Sequence, residues 1–425
     1  MRIVIAPDKF KGSLSAPEVA RHLDTGLQAA TGHNLDVVRI PVADGGEGTL
    51  DAAVGSGFTR RSALVSGPTG QPLRAEFAVR GREAVIEMAA ASGLAVLPTE
   101  GGSAGMPDSV TARNATSLGT GELIRAALDA GCRQIILGVG GSANTDGGAG
   151  VLQGLGAQLL DAEGNELPPG GAALARLDRI DFSGFDSRLD EARFVLASDV
   201  DNPLLGTEGA PAIFGPQKGA TPEDVATLDA AVSHFVNVLA AEIGPRALKA
   251  ADAPGAGAAG GVGYAAIAVL AATRRPGIDV VLEFTGLADR LAGADLVITG
   301  EGSLDEQSLL GKTPMGVARA AARAGVPVVA VCGRTTLTPE QQKDSGFRQV
   351  YPLTSLEAKV EICIAEAGPL LEQLGKNIGV ELADLVPAGA APAGSTPADS
   401  TPADSTPADS TPPVNSARTK EPLNV

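Results

Sequence analysis

Apolar and polar positions fall into blocks that read, from the first residue, as strand, loop and helix. Residues 2–6 form a compact apolar run closed by Pro7-Asp8, and Ser15-x-x-Glu18 with Pro17 in the first turn marks a helix start. A second apolar run at 35–42 ends in Ala43-Asp44-Gly45-Gly46-Glu47-Gly48-Thr49. From about residue 58 to 88 the texture changes. Short alternating runs, with Gly67-Pro68-Thr69-Gly70 and Gly81-Arg82 as turns, predict antiparallel strands. A helix over 118–130 leads into a strand over 134–139, and a strand over 193–197 precedes a helix over 222–242. Beyond an apolar run at 278–282 and a short helix, strand and helix alternate again: strands at 295–298, 326–331 and 347–351, then a long helix over 356–385.

The two ends of the chain thus share one rhythm that the middle lacks. The pattern predicts an α/β protein of two domains. Residues 1–60 and 285–386 would form a Rossmann-like parallel-sheet domain, with residues 61–284 inserted as a second, mixed α/β domain. After residue 386, Ser395-Thr-Pro-Ala-Asp repeats at Ser400 and Ser405 and begins again at Ser410, so residues 387–425 read as a disordered tail.

Charge narrows the partners. A net charge of −17 over 425 residues argues against nucleic acid or an anionic membrane, both of which need a positive field. The amino-terminal apolar run is too short for a signal segment, and no run reaches the length of a membrane span. Cys132, Cys332 and Cys363 are widely separated in apolar surroundings, as in core residues of a reducing cytoplasm. None of His22, His33 and His234 lies near a glycine-rich turn, which removes His-based zinc sites and Ser-His-Asp chemistry. Carboxylates and lysines must carry the chemistry.

These residues recur where strands end. Asp8, Lys9 and Lys11 follow the first strand, Asp44 and Glu47 the second, and Asp199 and Asn202 the strand ending at Ala197. In residues 294–318 an apolar run stops at Thr299-Gly300-Glu301-Gly302, expected as a loop, and is followed by Asp305 and Gly311-Lys312-Thr313-Pro314. Loops at the carboxyl ends of strands form the ligand crevice of an open α/β sheet, and carboxylates, glycines and lysines are what phosphoryl transfer requires there. Gly311-Lys312-Thr313 is no nucleotide P-loop, because Glu306 stands where that motif has its first glycine. Gly140-Gly141-Ser142-Ala143-Asn144-Thr145-Asp146-Gly147-Gly148, opening onto a helix near Asp146, has the glycine density of an anion-binding nest. Lys218 lies in Phe214-Gly215-Pro216-Gln217-Lys218-Gly219. Gly255-x-Gly257-x-x-Gly260 fits the dinucleotide fingerprint by letter, but no strand precedes it, so it reads as a helix-entry loop. Turn and capping roles explain any one of these stretches; their recurrence favours a site.

Taken in order, the stretches at 5–13, 43–49, 140–148, 198–203, 214–219, 254–261 and 299–314 resemble the type 1 bacterial glycerate kinase family, across roughly residues 1–380. The resemblance implies ATP-dependent, Mg²⁺-assisted phosphorylation of D-glycerate, with the 2-hydroxyl favoured, by a two-domain α/β protein in the cytoplasm. The small molecules would be its partners. On that footing, chemistry and position nominate Asp44, Asp199, Lys9 and Lys11 as catalytic. Asp199, Glu301 and Asp305 become the Mg²⁺ candidates. Asp8, Glu47, Gly140, Gly141, Ser142, Asn144, Asp146, Asn202, Lys218, Gly257, Gly260, Gly300, Glu301 and Lys312 are the binding candidates. Rival readings are transfer to the 3-hydroxyl or to a related hydroxy acid, a two-lobed organic-acid-binding protein, and an NAD-dependent oxidoreductase.

Overall fold

The alternation in Ile3-Val4-Ile5-Ala6 assigns each side chain of the first strand to a face, and both faces are covered. In the computed structural model, which describes residues 1–98, 105–309 and 311–386, Ile3 and Ile5 pack with Leu23, Leu27, Leu371 and Leu374. Val4 and Ala6 pack on the opposite side with Val281 and Val317. Full burial on both faces is what a parallel sheet needs, at roughly 1.5–3 kcal/mol for each large aliphatic side chain. The predicted tail, 387–425, lies outside the described residues.

In chain order the strands are β1 (Arg2–Pro7), β2 (Asp36–Arg39), β3 (Thr59–Ser66), β4 (Pro72–Arg80), β5 (Glu83–Glu87), β6 (Gln134–Gly138), β7 (Gln158–Leu160), β8 (Arg179–Asp181), β9 (Arg193–Ala197), β10 (Thr273–Arg275), β11 (Leu296–Leu304), β12 (Val328–Thr335) and β13 (Val350–Pro352). The first sheet runs β13-β12-β11-β1-β2 and is parallel throughout. The second runs β10-β9-β6-β5-β4-β3, antiparallel across β3, β4 and β5 and parallel beyond. The architecture is therefore α/β, with one parallel sheet drawn from both ends of the chain and one mixed sheet from its middle. The described residues pack as one compact unit. A single core cluster joins Val4 and Ala6 of the first sheet to Val85, Ile136 and Ala197 of the second.

Four differences from the sequence pattern have physical causes. Pro41, which lacks an N–H, interrupts the run at 35–42, so β2 stops at Arg39. The glycines at 300 and 302 do not end their strand: β11 continues to Leu304, with Glu301 beside Cys332 and Ser303 beside Arg334 of β12. The apolar run at 278–282 lies in a helix, Gly277–Phe284. The carboxy-terminal helix is two, Val360–Ala365 and Ala367–Leu385, broken at Glu366. Among the described residues no helix is long and apolar enough to cross a membrane.

Candidate active site

Strand β1 leads through the helix Ala16–Thr31 to β2 on one side and pairs with β11 on the other, so the strand order reverses between β1 and β11. Ligands of open α/β sheets bind outside the carboxyl ends of strands at such a point. The register sets Pro7 beside Gly300, and the Asp8 N–H donates to the Gly300 carbonyl at 2.8 Å. Asp8 and Glu301 thereby meet at the switch point, although 293 positions separate them in sequence. Asp8 accepts hydrogen bonds from Thr313 Oγ1 at 2.8 Å and from the Lys9 N–H at 2.7 Å. Burial nevertheless pushes its carboxyl up to about 6; the Lys9 charge opposes the rise and the Asp44 charge adds to it. Desolvation also pushes Glu301 up to about 7, against the Lys312 charge and with those of Asp8 and Asp305. Its Oε1 is buried with no hydrogen-bond partner among the described residues. Lys9 Nζ donates to the Glu47 carbonyl at 2.6 Å and stands 3.8 Å from Asp8 Oδ1.

The acidic loop after β2 sits where the two sheets join. Gly45, at φ 88°, adopts a left-handed conformation that disfavours side chains. A Cβ on Gly140 would lie 2.8 Å from Gly46 Cα, so only glycine lets these backbones approach. The Gly46 N–H donates to Asp44 Oδ1 at 3.2 Å and fixes that carboxylate. From the second sheet, buried Glu87 accepts the Leu50 N–H at the start of the helix Thr49–Gly55. Asp199 adjoins the same loop, with Oδ1 accepting the Gly277 N–H at 2.9 Å. Asp199 is exposed at the surface, yet the protein around it desolvates its carboxyl enough to raise it to about 6, aided by the charges of Asp44 and Asp279.

A cleft of about 620 Å³ opens at this junction. Asp8, Lys9, Lys11, Asp44 and Glu47 line it from the first sheet's amino-terminal half. Glu301, Asp305 and Lys312 line it from the carboxy-terminal half, and Gly140 and Gly141 from the second sheet. Gly300 lies beneath them in β11. Ser142, Asn144, Asp146, Asp199, Asn202, Lys218, Gly257 and Gly260 are not among its lining. Asp146 is fully buried and accepts from Ser117 N and Oγ, Asn144 Nδ2, Gly148 N and Gly150 N, all between 2.7 and 3.2 Å. Lys218 Nζ donates to Ser142 Oγ at 2.8 Å and to the Asn144 carbonyl at 2.6 Å, and burial lowers its ammonium to about 7. Asn202 Nδ2 donates to the Glu208 carbonyl at 2.9 Å. Asp146 and Lys218 hold the loop 140–148 in shape. The two glycine stretches pack on each other: the Gly147 N–H donates to the Gly260 carbonyl at 2.9 Å, and a Cβ on Gly260 would lie 2.0 Å from the Asn144 carbonyl oxygen.

For Mg²⁺ the donor set is suitable. The ion takes one or two carboxylates and completes its octahedron with phosphate oxygens and water. Glu301, with its unpartnered buried Oε1, and Asp305 share the cleft and fit that role; Asp199 stands apart from them. Among the described residues no three acidic, His or Cys side chains form a preformed cage.

Several residues at or beside the cleft escaped the sequence reading. Glu87 ends an apolar strand and carried no turn signal. Arg334 lines the cleft from β12, three residues beyond the strand that the pattern had placed at 326–331. An apolar part of the lining comes from Leu353, Val360, Cys363 and Ile364.

Comparison with known proteins bears on the chain as a whole. A family model described as the glycerate kinase family matches residues 3–383. A Bacillus subtilis protein named glycerate kinase is 44% identical over 388 residues, spanning 90% of this chain and 98% of its own. An Escherichia coli protein named glycerate 2-kinase is 45% identical over 386 residues, with the same 90% and 98% coverage. A crystal structure from Salmonella typhimurium, provisionally named glycerate kinase 2, matches with a TM-score of 0.75 and 42% identity, over 90% of this chain and 98% of that one.

Proposed function

The chain belongs to the glycerate kinase family, and from that premise we propose that it transfers the γ-phosphate of ATP to the 2-hydroxyl of D-glycerate, giving 2-phospho-D-glycerate and ADP. The observation that carries the proposal is the convergence of Asp8, Asp44 and Glu301 with Lys9, Lys11 and Lys312 in one cleft at the switch point. The 2-position is supported by the name of the Escherichia coli relative.

Transfer needs positioning and charge neutralisation more than covalent chemistry. The substrate hydroxyl oxygen attacks the γ-phosphorus, the bond to the bridging oxygen of ADP breaks, and the hydroxyl proton passes to a carboxylate. Asp44 takes that proton, since its position is fixed by the Gly46 N–H. Lys9 and Lys11 hold the glycerate carboxylate or the moving phosphoryl group, and Lys312 offsets phosphate charge. Glu301 and Asp305 would hold Mg²⁺, which when bound neutralises phosphate oxygens. Asp8 anchors the loop carrying both lysines through Thr313 and the Lys9 N–H. Residues 1–60 with 285–386, and residues 61–284, act as two domains meeting at the cleft, a division supported by their separate sheets.

The test is an ADP-release assay with purified protein, MgATP and D-glycerate. The proposal requires ADP release that depends on D-glycerate. ATP turnover indifferent to D-glycerate, or responsive only to another hydroxy acid, overturns it.

A further inference from the structure

We propose that the purine base of the nucleotide lies against the apolar part of the cleft formed by Leu353, Val360, Cys363 and Ile364. The proposal rests on the reading above that a nucleoside triphosphate is the phosphoryl donor. Charged side chains at the carboxyl ends of the first sheet and apolar side chains from residues 353–364 line one continuous cavity. That division suits a ligand with a polyanionic end and a flat apolar end. Inorganic polyphosphate or a phosphorylated small acid would have no use for the second half.

Two further observations favour this wall. Ile364 is 46% exposed although isoleucine gains by burial, and it faces the cleft without a covering element among the described residues. Its backbone carbonyl accepts Ser13 Oγ at 2.6 Å, which ties the helix Val360–Ala365 to the loop carrying Lys9 and Lys11. The wall and the phosphate-binding lysines are therefore held as one unit. The alternative seat, the glycine stretch at 255–261, is occupied by its own packing: a Cβ on Gly257 would lie 2.3 Å from the Pro203 carbonyl oxygen, and a Cβ on Gly260 would meet the Asn144 carbonyl oxygen. Val360 and Ile364 present the contact surface; Leu353, fully buried, and Cys363, 3% exposed with its thiol donating to the Glu357 carbonyl at 3.1 Å, back it from behind.

Calorimetric titration with ADP and with inorganic tripolyphosphate, alongside steady-state kinetics, tests the assignment. The variants are Ile364→Asp, the milder Ile364→Ser, and Ile362→Asp, an exposed position on the same helix outside the cleft lining. Both Ile364 variants are expected to raise the ADP Kd and the MgATP KM, Ile364→Asp by about tenfold or more. Tripolyphosphate affinity and the D-glycerate KM should stay unchanged, and Ile362→Asp should match the wild type. Unchanged ADP affinity in either folded Ile364 variant, or equal weakening of ADP and tripolyphosphate, overturns the proposal. A wild type that ignores D-glycerate but binds ADP, with that binding lost in Ile364→Asp, leaves the base site standing and removes the glycerate reading.

Discussion

Glu87→Gln probes the joint that holds the acidic loop. Glu87 is only 9% exposed, and its carboxyl is pushed from 4.5 up to about 7. Desolvation is the main cause; the Asp51 charge adds to it, while the Leu50 N–H and the Lys9 charge oppose it. The folded value lies above the unfolded one, so below about pH 4.5 the group is protonated in both states and has no effect. Between 4.5 and 7 only the folded protein keeps the proton, and stability falls as pH rises. The interval corresponds to about 3 kcal/mol, lost in full above about pH 8. For a folded unit of this length the unfolding entropy is about 0.8 kcal/mol per kelvin, so the loss amounts to about 4 °C in Tm. Gln keeps an oxygen for the Leu50 N–H and cannot ionise. Asp8, Asp199, Glu301 and Lys218 titrate in both proteins and cancel in the difference. Scanning calorimetry at pH 5 and pH 8.5 should show Glu87→Gln gaining about 3 °C on the wild type between the two pH values, since a small part of the penalty is already present at pH 5. A difference in Tm that does not change with pH refutes the reasoning.

The remaining expectations concern turnover and packing. Asp44→Asn should lower kcat by about 10²–10⁴-fold with the circular dichroism spectrum intact, as expected for loss of a proton acceptor; near wild-type turnover would remove Asp44 from its role. The carboxylates act in their ionised form, so kcat/KM should rise with pH through the interval from about 6 to about 7 set by Asp8 and Glu301. Glu301→Gln should flatten the upper part of that rise, and an unaltered profile would show that Glu301 does not govern it. Gly300→Ala places a Cβ 2.0 Å from the Val331 carbonyl oxygen and should cost about 2–4 kcal/mol in urea unfolding; a neutral substitution would mean that β11 and β12 separate freely.

Much of this was legible because chemistry-bearing residues clustered after apolar runs. Asp8, Asp44 and Glu301 each follow or close a strand core, and the shared rhythm of the chain ends indicated a parallel sheet. The pairings that make the site are long-range and left no spacing signal. Asp8 and Thr313 lie 305 positions apart, and Leu50 and Glu87 37 apart. Glycine was the ambiguous letter: Gly300 and Gly302 read as loop residues, but both lie within β11, where Gly300 allows close approach to β12 and Gly302 packs on the Phe10–Lys11 backbone. Gly257 and Gly260 likewise let backbones pack tightly. Lys218 and Asp146 read as ligand groups, and in the fold they hydrogen-bond to buried groups of the protein, within the loop 140–148 and, for Asp146, also at Ser117 and Gly150. Polarity in a sequence marks a need for partners, and only the fold tells whether the partner is a ligand or the protein itself.

The central claim is that this cleft phosphorylates D-glycerate at one hydroxyl. ³¹P NMR of the product formed from MgATP and D-glycerate addresses it directly, because phosphorus on C2 couples to a methine proton and phosphorus on C3 to a methylene pair. The account predicts 2-phospho-D-glycerate with equimolar ADP. A 3-phosphate product, or ATP left intact in the presence of D-glycerate, would contradict it.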